Sequence, residues 1–209
     1  MRALASGQAV RIPGRSLRVA LLSDTHGVLD ARVDEVVRDC DLAVHGGDIG
    51  SAGVLARLRP RLGHVLAVFG NNDVATKWPL PDRELLCELP QWLDISLPGG
   101  QLIVIHGHQS AARDRHRRLR ERFPSARAIL YGHSHRLVVD QTAAPWILNP
   151  GAAGRTRTGG GPSCLVLSAT IADWSVAVHR FPLPARHPRS PRTRSGETAP
   201  TEVSAHARS

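Results

Sequence analysis

The chain has 209 residues, 42% of them hydrophobic and 22% charged, which leaves room for one domain with a sizeable core. Its net charge of +9 favours anionic partners, and all but one of its 27 Lys and Arg residues are arginine, Lys77 being the exception. No run approaches the roughly 20 apolar residues that cross a membrane, and the start MRALASGQAVRIPGR lacks the apolar stretch of a secretion signal.

Residues 1–16 read as an irregular arm, 17–182 as one folded domain and 183–209 as a basic tail. From 17 onward, apolar runs alternate with helical stretches: a strand over 18–23, a helix over 30–38, a strand over 41–45, a helix over 51–59 and a strand over 64–69. That alternation predicts parallel β-α-β units. In ELLCELPQWLDISLPGGQLIVI (84–105), Pro98-Gly99-Gly100 between two apolar segments predicts a hairpin, so the second half turns antiparallel. An arginine-rich helix follows over 110–122, with Leu119 and Phe123 four apart on its inner face. A strand comes next at 127–131, and LVVD, PWILN, SCLVLSA and WSVAVHRF read as further strands of a second sheet. Beyond 183, Pro, Ser, Thr and Arg dominate without apolar periodicity, the composition of a segment that stays disordered. Much of the positive excess lies in that tail (five arginines against two glutamates) and in 113–122 (six arginines against two acids).

Five short polar motifs punctuate this pattern: Asp24-Thr25-His26, Gly47-Asp48, Gly70-Asn71-Asn72-Asp73, His106-Gly107-His108 and Gly132-His133-Ser134-His135. Each follows an apolar run: VALL, LAV, VLAVF, LIVI and AILY. A strand that ends in a carboxylate or imidazole delivers that group to a sheet edge, and five repeats gather ligand atoms at one place. Singly, a D-x-H or G-D is a turn or a helix cap. Together they offer carboxylate, imidazole and amide oxygen with no well-placed thiolate, a set suited to Mn²⁺, Fe, Co, Ni or Zn. Cys40, Cys87 and Cys164 are odd in number, far apart and free of C-x-x-C spacing, so they read as reduced thiols of a cytoplasmic protein. There is no G-x-x-x-x-G-K-[ST] loop, no G-x-S-x-G elbow and no H-E-x-x-H helix, which excludes three other hydrolytic chemistries.

The motif string resembles the calcineurin-like metallophosphoesterase superfamily, most closely its small single-domain bacterial and archaeal phosphodiesterases, over roughly residues 17 to 181. The resemblance implies a four-layer α/β/β/α sandwich of two mixed sheets with helices outside. It implies two divalent ions, Mn²⁺ first among them. Asp24, His26, Asp48 and His135 would hold one and Asp48, Asn71, His106 and His133 the other, with Asp48 bridging. A metal-bridging hydroxide would then attack phosphorus in line, with the ions neutralising the charge that builds up. His108, Asn72 and Asp73 are the catalytic candidates: His108 as a substrate contact, Asp73 orienting a neighbouring group. Asn72 stands where many relatives carry histidine, and an amide has no proton to give at useful pH. Downstream of Asn149-Pro150-Gly151, Arg155 and Arg157 are candidate clamps for a phosphate oxygen. His45, just before Gly46-Gly47-Asp48, reads as a buttress.

The expected function is therefore hydrolysis of phosphodiesters, monoesters included as a further substrate class. Two alternatives stay open here: an interaction scaffold on the same fold, and a nucleic-acid-binding protein using the basic tail, whose lack of interleaved aromatics argues against base stacking. The expected partners are a small phosphoester, nucleic acid through the tail and a second copy as a homodimer, with no membrane.

Overall fold

The computed structural model describes residues 7–154 and 158–183. Eleven strands and four α-helices alternate along them. One sheet has the order β11-β10-β2-β3-β4, built from β2 (Ser16–Leu22), β3 (Leu42–His45), β4 (His64–Ala67), β10 (Ser163–Thr170) and β11 (Trp174–Arg180). The other has the order β1-β5-β6-β7-β9-β8, from β1 (Gln8–Arg11), β5 (Trp92–Leu97), β6 (Gly100–Ile105), β7 (Ala128–Leu130), β8 (Leu137–Asp140) and β9 (Trp146–Pro150). Strands β2, β3 and β4 run parallel, as do β6, β7 and β9. Their C-terminal ends therefore lie at one edge of each sheet, which is where all five motifs emerge.

Each central strand buries both faces, so its apolar positions serve two cores in alternation. Val19 and Leu21 of β2, with Leu93 and Ile95 of β5 and Leu102 and Val104 of β6, fill the space between the sheets. Ala20 and Leu22 face outward onto Val33 and Val37 of α1 (Ala31–Arg38). On the far side, Ile103, Ile105 and Ile129 cover Leu119 of α4 (Arg115–Arg122). Helix, sheet, sheet and helix thus form the four layers expected of the fold. Each fully buried Leu or Ile contributes roughly 1.5–3 kcal/mol, so the inter-sheet core is the main source of stability. Helix α1 starts where the Asp30 carboxylate accepts the Arg32 backbone N–H at 3.0 Å. A satellite core joins Val54 of α2 (Ala52–Arg57) to Trp78 and Leu89, with Leu86 of α3 (Arg83–Glu88) packed against it.

The elements differ from expectation in several places, α4 among them, which starts at Arg115 rather than at 110. LVVD and PWILN extend the second sheet as β8 and β9, whereas SCLVLSA and WSVAVHRF return to the first as β10 and β11. The reason is burial: β10 is apolar on both faces and takes a central place, pairing antiparallel with β2 (Leu165 opposite Leu21). Within the arm read as irregular, Gln8–Arg11 pairs parallel with β5, and Val10 and Ile12 pack on the inter-sheet core. Helix α3 was not anticipated, because its six residues are too few for a periodic signal. No helix among the described residues is long and apolar enough to cross a membrane. The basic tail from 184 onward lies outside the described residues, as do Arg155 and Arg157.

Candidate metal centre

The two sheets meet at the edge where the motifs emerge. The β2–β3 pairing continues past the strands, with Asp24 N–H donating to Gly47 O (3.0 Å) and His26 N–H to Asp48 O (2.9 Å). Across the sheets, His133 N–H donates to Asp24 Oδ1 at 3.2 Å, and the His106 ring Nδ1–H donates to Gly46 O at 2.8 Å. Among the described residues, the non-glycine positions with positive φ are Asp24 (55°), His26 (47°), Asp48 (55°), His133 (64°) and His135 (54°). Every one is a candidate ligand. This left-handed backbone costs about 1–2 kcal/mol per residue and persists only where the surroundings over-determine it.

Asp24, His26, Asp48 and His135 each offer one ligand atom within 4.8 Å of the others. His26 Nε2 faces His135 Nε2 at 3.3 Å, His135 Nε2 lies 3.3 Å from Asp24 Oδ1, and His26 Nε2 lies 3.9 Å from Asp48 Oδ2. Beside them, the Asn71 amide oxygen sits 2.9 Å from His133 Nδ1 and 3.2 Å from His106 Nε2. His106 Nε2 in turn is 3.4 Å from Asp48 Oδ2. That oxygen therefore stands between the two groups. Asp24 is fully buried, and its Oδ2 has no hydrogen-bond partner among the described residues. A buried carboxylate with one oxygen unpartnered and the other 3.3 Å from a ring nitrogen calls for a cation, so the residues present fit divalent metal.

Protonation suits that fit. Burial pushes His26 below its usual range, against the pull of Asp48 and Asp24. His133 is lowered by burial, then by His106 and Arg115. His108 is lowered by burial, then by His106 and His133. At neutral pH these rings are neutral lone-pair donors. His106 goes the other way: burial lowers it, but the Asp48 carboxylate, Asp24 and the Gly46 carbonyl outweigh burial and raise it. For Asp48, burial acts upward, yet His106 and the Asn72 donors hold it well below the carboxylate range.

The catalytic candidates take different places. The Asp73 carboxylate accepts the backbone N–H groups of Ile49, Gly50 and Gly70 (2.8 to 3.1 Å) and the Trp78 indole N–H (2.9 Å), so it ties the Asp48 and Asn71 loops together rather than facing the ligands. Asn72 grips Asp48, its backbone N–H reaching Oδ1 (2.8 Å) and its Nδ2 reaching Oδ2 (2.7 Å), while its amide oxygen accepts from Lys77 Nζ. His108 lies beside the candidate ligands, its ring 5.5 Å from that of His106, with a buried Nδ1 that has no partner among the described residues. His45 is wholly buried. Gly47 N–H donates to its Nδ1 (3.2 Å), which puts the proton on Nε2, 2.9 Å from Thr25 Oγ1. Burial pushes that imidazole down to about 4, so it stays a neutral strut.

Asn149 is a brace that its N-P-G motif alone does not reveal. Its Nδ2 donates to Gly132 O (2.8 Å) and its Oδ1 accepts Gly151 N–H (2.9 Å), fixing the turn that carries His133 and His135. Trp78 and Lys77 gave no sequence signal beyond composition. The motif glycines are there for close approach: a Cβ on Gly70 would lie 2.2 Å from Asp48 Oδ1, and one on Gly132 would lie 2.0 Å from Ser23 Oγ.

Two packed mixed sheets with carboxylates and imidazoles gathered at one edge define the class, an α/β fold carrying a candidate metal centre. Residues 17–171 match the calcineurin-like phosphoesterase superfamily domain, and the chain belongs to that family. It is 22% identical over 160 residues to a phosphodiesterase of Methanocaldococcus jannaschii, covering 68% of this chain and 88% of that one. Among solved structures, Vacuolar Protein Sorting 29 of Cryptosporidium parvum superposes with a TM-score of 0.61 at 18% identity, covering 81% of this chain and 100% of the other. A characterised archaeal phosphodiesterase gives 0.58 at 20% identity, covering 78% and 100%.

Proposed function

We propose that this protein is a dinuclear metal-dependent phosphodiesterase, with Mn²⁺ as the first metal to test. The observation that carries the reading is the place of Asp48 Oδ2, within 3.9 Å of His26 Nε2 on one side and 3.4 Å of His106 Nε2 on the other. One carboxylate oxygen reaching both ligand groups is what a bridged pair of cations needs, since the anion offsets their mutual repulsion. When bound, such ions supply charge neutralisation for the phosphate oxygens and activation of the attacking water. The chain's own residues do the rest. Asn72 and His106 hold Asp48 ionised and oriented, Asn149 and Asp73 fix the loops, and His108 offers a ring nitrogen beside the ligands for the ester. A phosphoester is the partner this site fits, in the cytoplasm that the free cysteines suit.

A scaffold role is the second reading, supported by the resemblance of the fold to Vacuolar Protein Sorting 29. The complete ligand set favours the enzyme. Metal analysis of the purified chain, followed by hydrolysis of bis(p-nitrophenyl) phosphate in Mn²⁺, tests the proposal. D48N should bind less metal and lose turnover. Full activity in that variant would refute the Asp48 bridge, and a metal-free wild type with no hydrolysis of any diester would leave the scaffold reading in possession.

A further inference from the structure

The arginine-rich segment 113–122 is not uniform. Arg113 pairs with Asp114 (3.2 Å), Arg117 with Glu121 (2.8 Å) and Asp114 (3.4 Å), and Arg120 with Asp140 (2.8 Å). Arg118 and Arg122 are exposed to water. Arg115 alone turns inward and is 5% exposed. It shares the inner stripe with Leu119 four residues on, a 3.6-period signal that could have found it. Its Nε–H donates to Gly107 O at 2.9 Å and its Nη2–H to Ser110 O at 3.1 Å, and its guanidinium lies 5.6 Å from the Tyr131 ring centroid. No carboxylate pairs with it among the described residues.

A buried charge without a counter-charge is costly, and carbonyl dipoles offset it only in part. Its carbonyl partners belong to the His106-Gly107-His108 loop, and its field reaches His108 and His133. The negative charge missing from this corner is what a phosphate group would bring. We propose that Arg115 is a positioning residue for anionic ligands: it holds the loop that carries His106 and His108, and its charge is compensated only when a phosphoryl anion enters the centre. The inference rests on reading the centre as a phosphate-handling site, and it deepens that reading by making the site selective for anionic over neutral esters.

The test uses the full chain loaded with Mn²⁺ and titrated with inorganic phosphate by calorimetry, a readout that needs no turnover. R115M removes the charge and should weaken phosphate binding about tenfold, the scale of one unit charge acting through several ångströms of protein. R115K keeps the charge without the fork, so it should melt earlier yet stay within about threefold of wild-type affinity. R120M, whose partner is Asp140, should leave affinity unchanged. Wild-type affinity in R115M overturns the proposal. Equal losses in R115K and R115M overturn it too, because a mere strut would not distinguish charge from shape. Should R115M fail to fold, R115Q keeps a donor for the carbonyl without the charge and carries the same expectation. Phosphate binding with no diester hydrolysis would sink the enzymatic reading alone, and a wild type that binds no phosphate would sink both.

Discussion

Asp73 offers the sharpest separation of structural and chemical roles at this centre. Its Oδ1 accepts from Ile49 N–H (2.9 Å), Gly50 N–H (3.0 Å) and Trp78 Nε1–H (2.9 Å), and its Oδ2 from Gly70 N–H (2.8 Å) and, more weakly, Ile49 N–H (3.1 Å). In D73N the amide turns its oxygen to the crowded side, so its NH₂ group faces the Gly70 donor. One charge-assisted hydrogen bond is lost at about 1.5–3 kcal/mol and a buried N–H is orphaned, while the surviving bonds weaken from charged to neutral. The sum is about 3–4 kcal/mol, or roughly 10 °C in Tm for a chain of this size. Because the Asp48 and Asn71 loops are the ones released, metal affinity should fall with stability. Thermal melts and metal competition on the same preparations check both. An unchanged Tm with activity abolished would refute the bracing argument and return Asp73 to a direct catalytic role, since removing a purely catalytic group leaves stability untouched or raised.

Three other outcomes follow from the same geometry. Chelation should lower Tm, because Asp24 Oδ2, without a partner among the described residues, would lose the proposed cation; an ion present at 100 times its Kd contributes about 2.7 kcal/mol, or roughly 5–11 °C. A melt that does not move although the metal has been shown to leave would count against the site. G132A should cost about 1–3 kcal/mol by overpacking and reduce bound metal per chain, because its Cβ would lie 2.0 Å from Ser23 Oγ and 2.8 Å from Asp24 Oδ2; wild-type stability and metal content would contradict the close approach. Nitrophenyl phosphodiesters should react much faster than alkyl ones, because Asn72 has both ends of its amide committed, to Asp48 and to Lys77, and has no proton for a leaving group. Equal rates would show that another group supplies that proton.

The gathering of the candidate ligands was legible because it depends on residue type and chain order, both visible in a string. D-x-H, G-D, G-N-N-D, H-G-H and G-H-S-H each follow a strand, and strand ends are what a parallel sheet aligns. The two cores were legible in outline, since runs such as VALL bury both faces. What could not be read was partnership. Nothing in SCLVLSA says that it pairs with β2 rather than β9, because the choice depends on which neighbour completes the burial of both faces. Nor does Asn72 say that it grips Asp48, or Arg115 that it turns back onto Gly107, because those contacts join residues 24 and 8 positions apart that only the folded path brings together.

The braces and the strain belong to one account. Asp24, His26, Asp48, His133 and His135 all hold left-handed backbone, which at about 1–2 kcal/mol each would relax if the loops were free. They are not free, because Asp73 fixes Ile49 and Gly50 just after Asp48, His45 fixes Thr25 between Asp24 and His26 and Gly47 just before Asp48, and Asn149 fixes Gly132 just before His133. Each brace is a buried polar side chain that hydrogen-bonds to a residue adjacent to a ligand. The strain is therefore set by groups outside the candidate ligand set, and the candidate ligand atoms converge as the loops stand. Such preorganisation raises metal affinity by removing the cost of arranging the ligands on binding. It follows that loss of a brace should weaken metal binding even where every ligand remains.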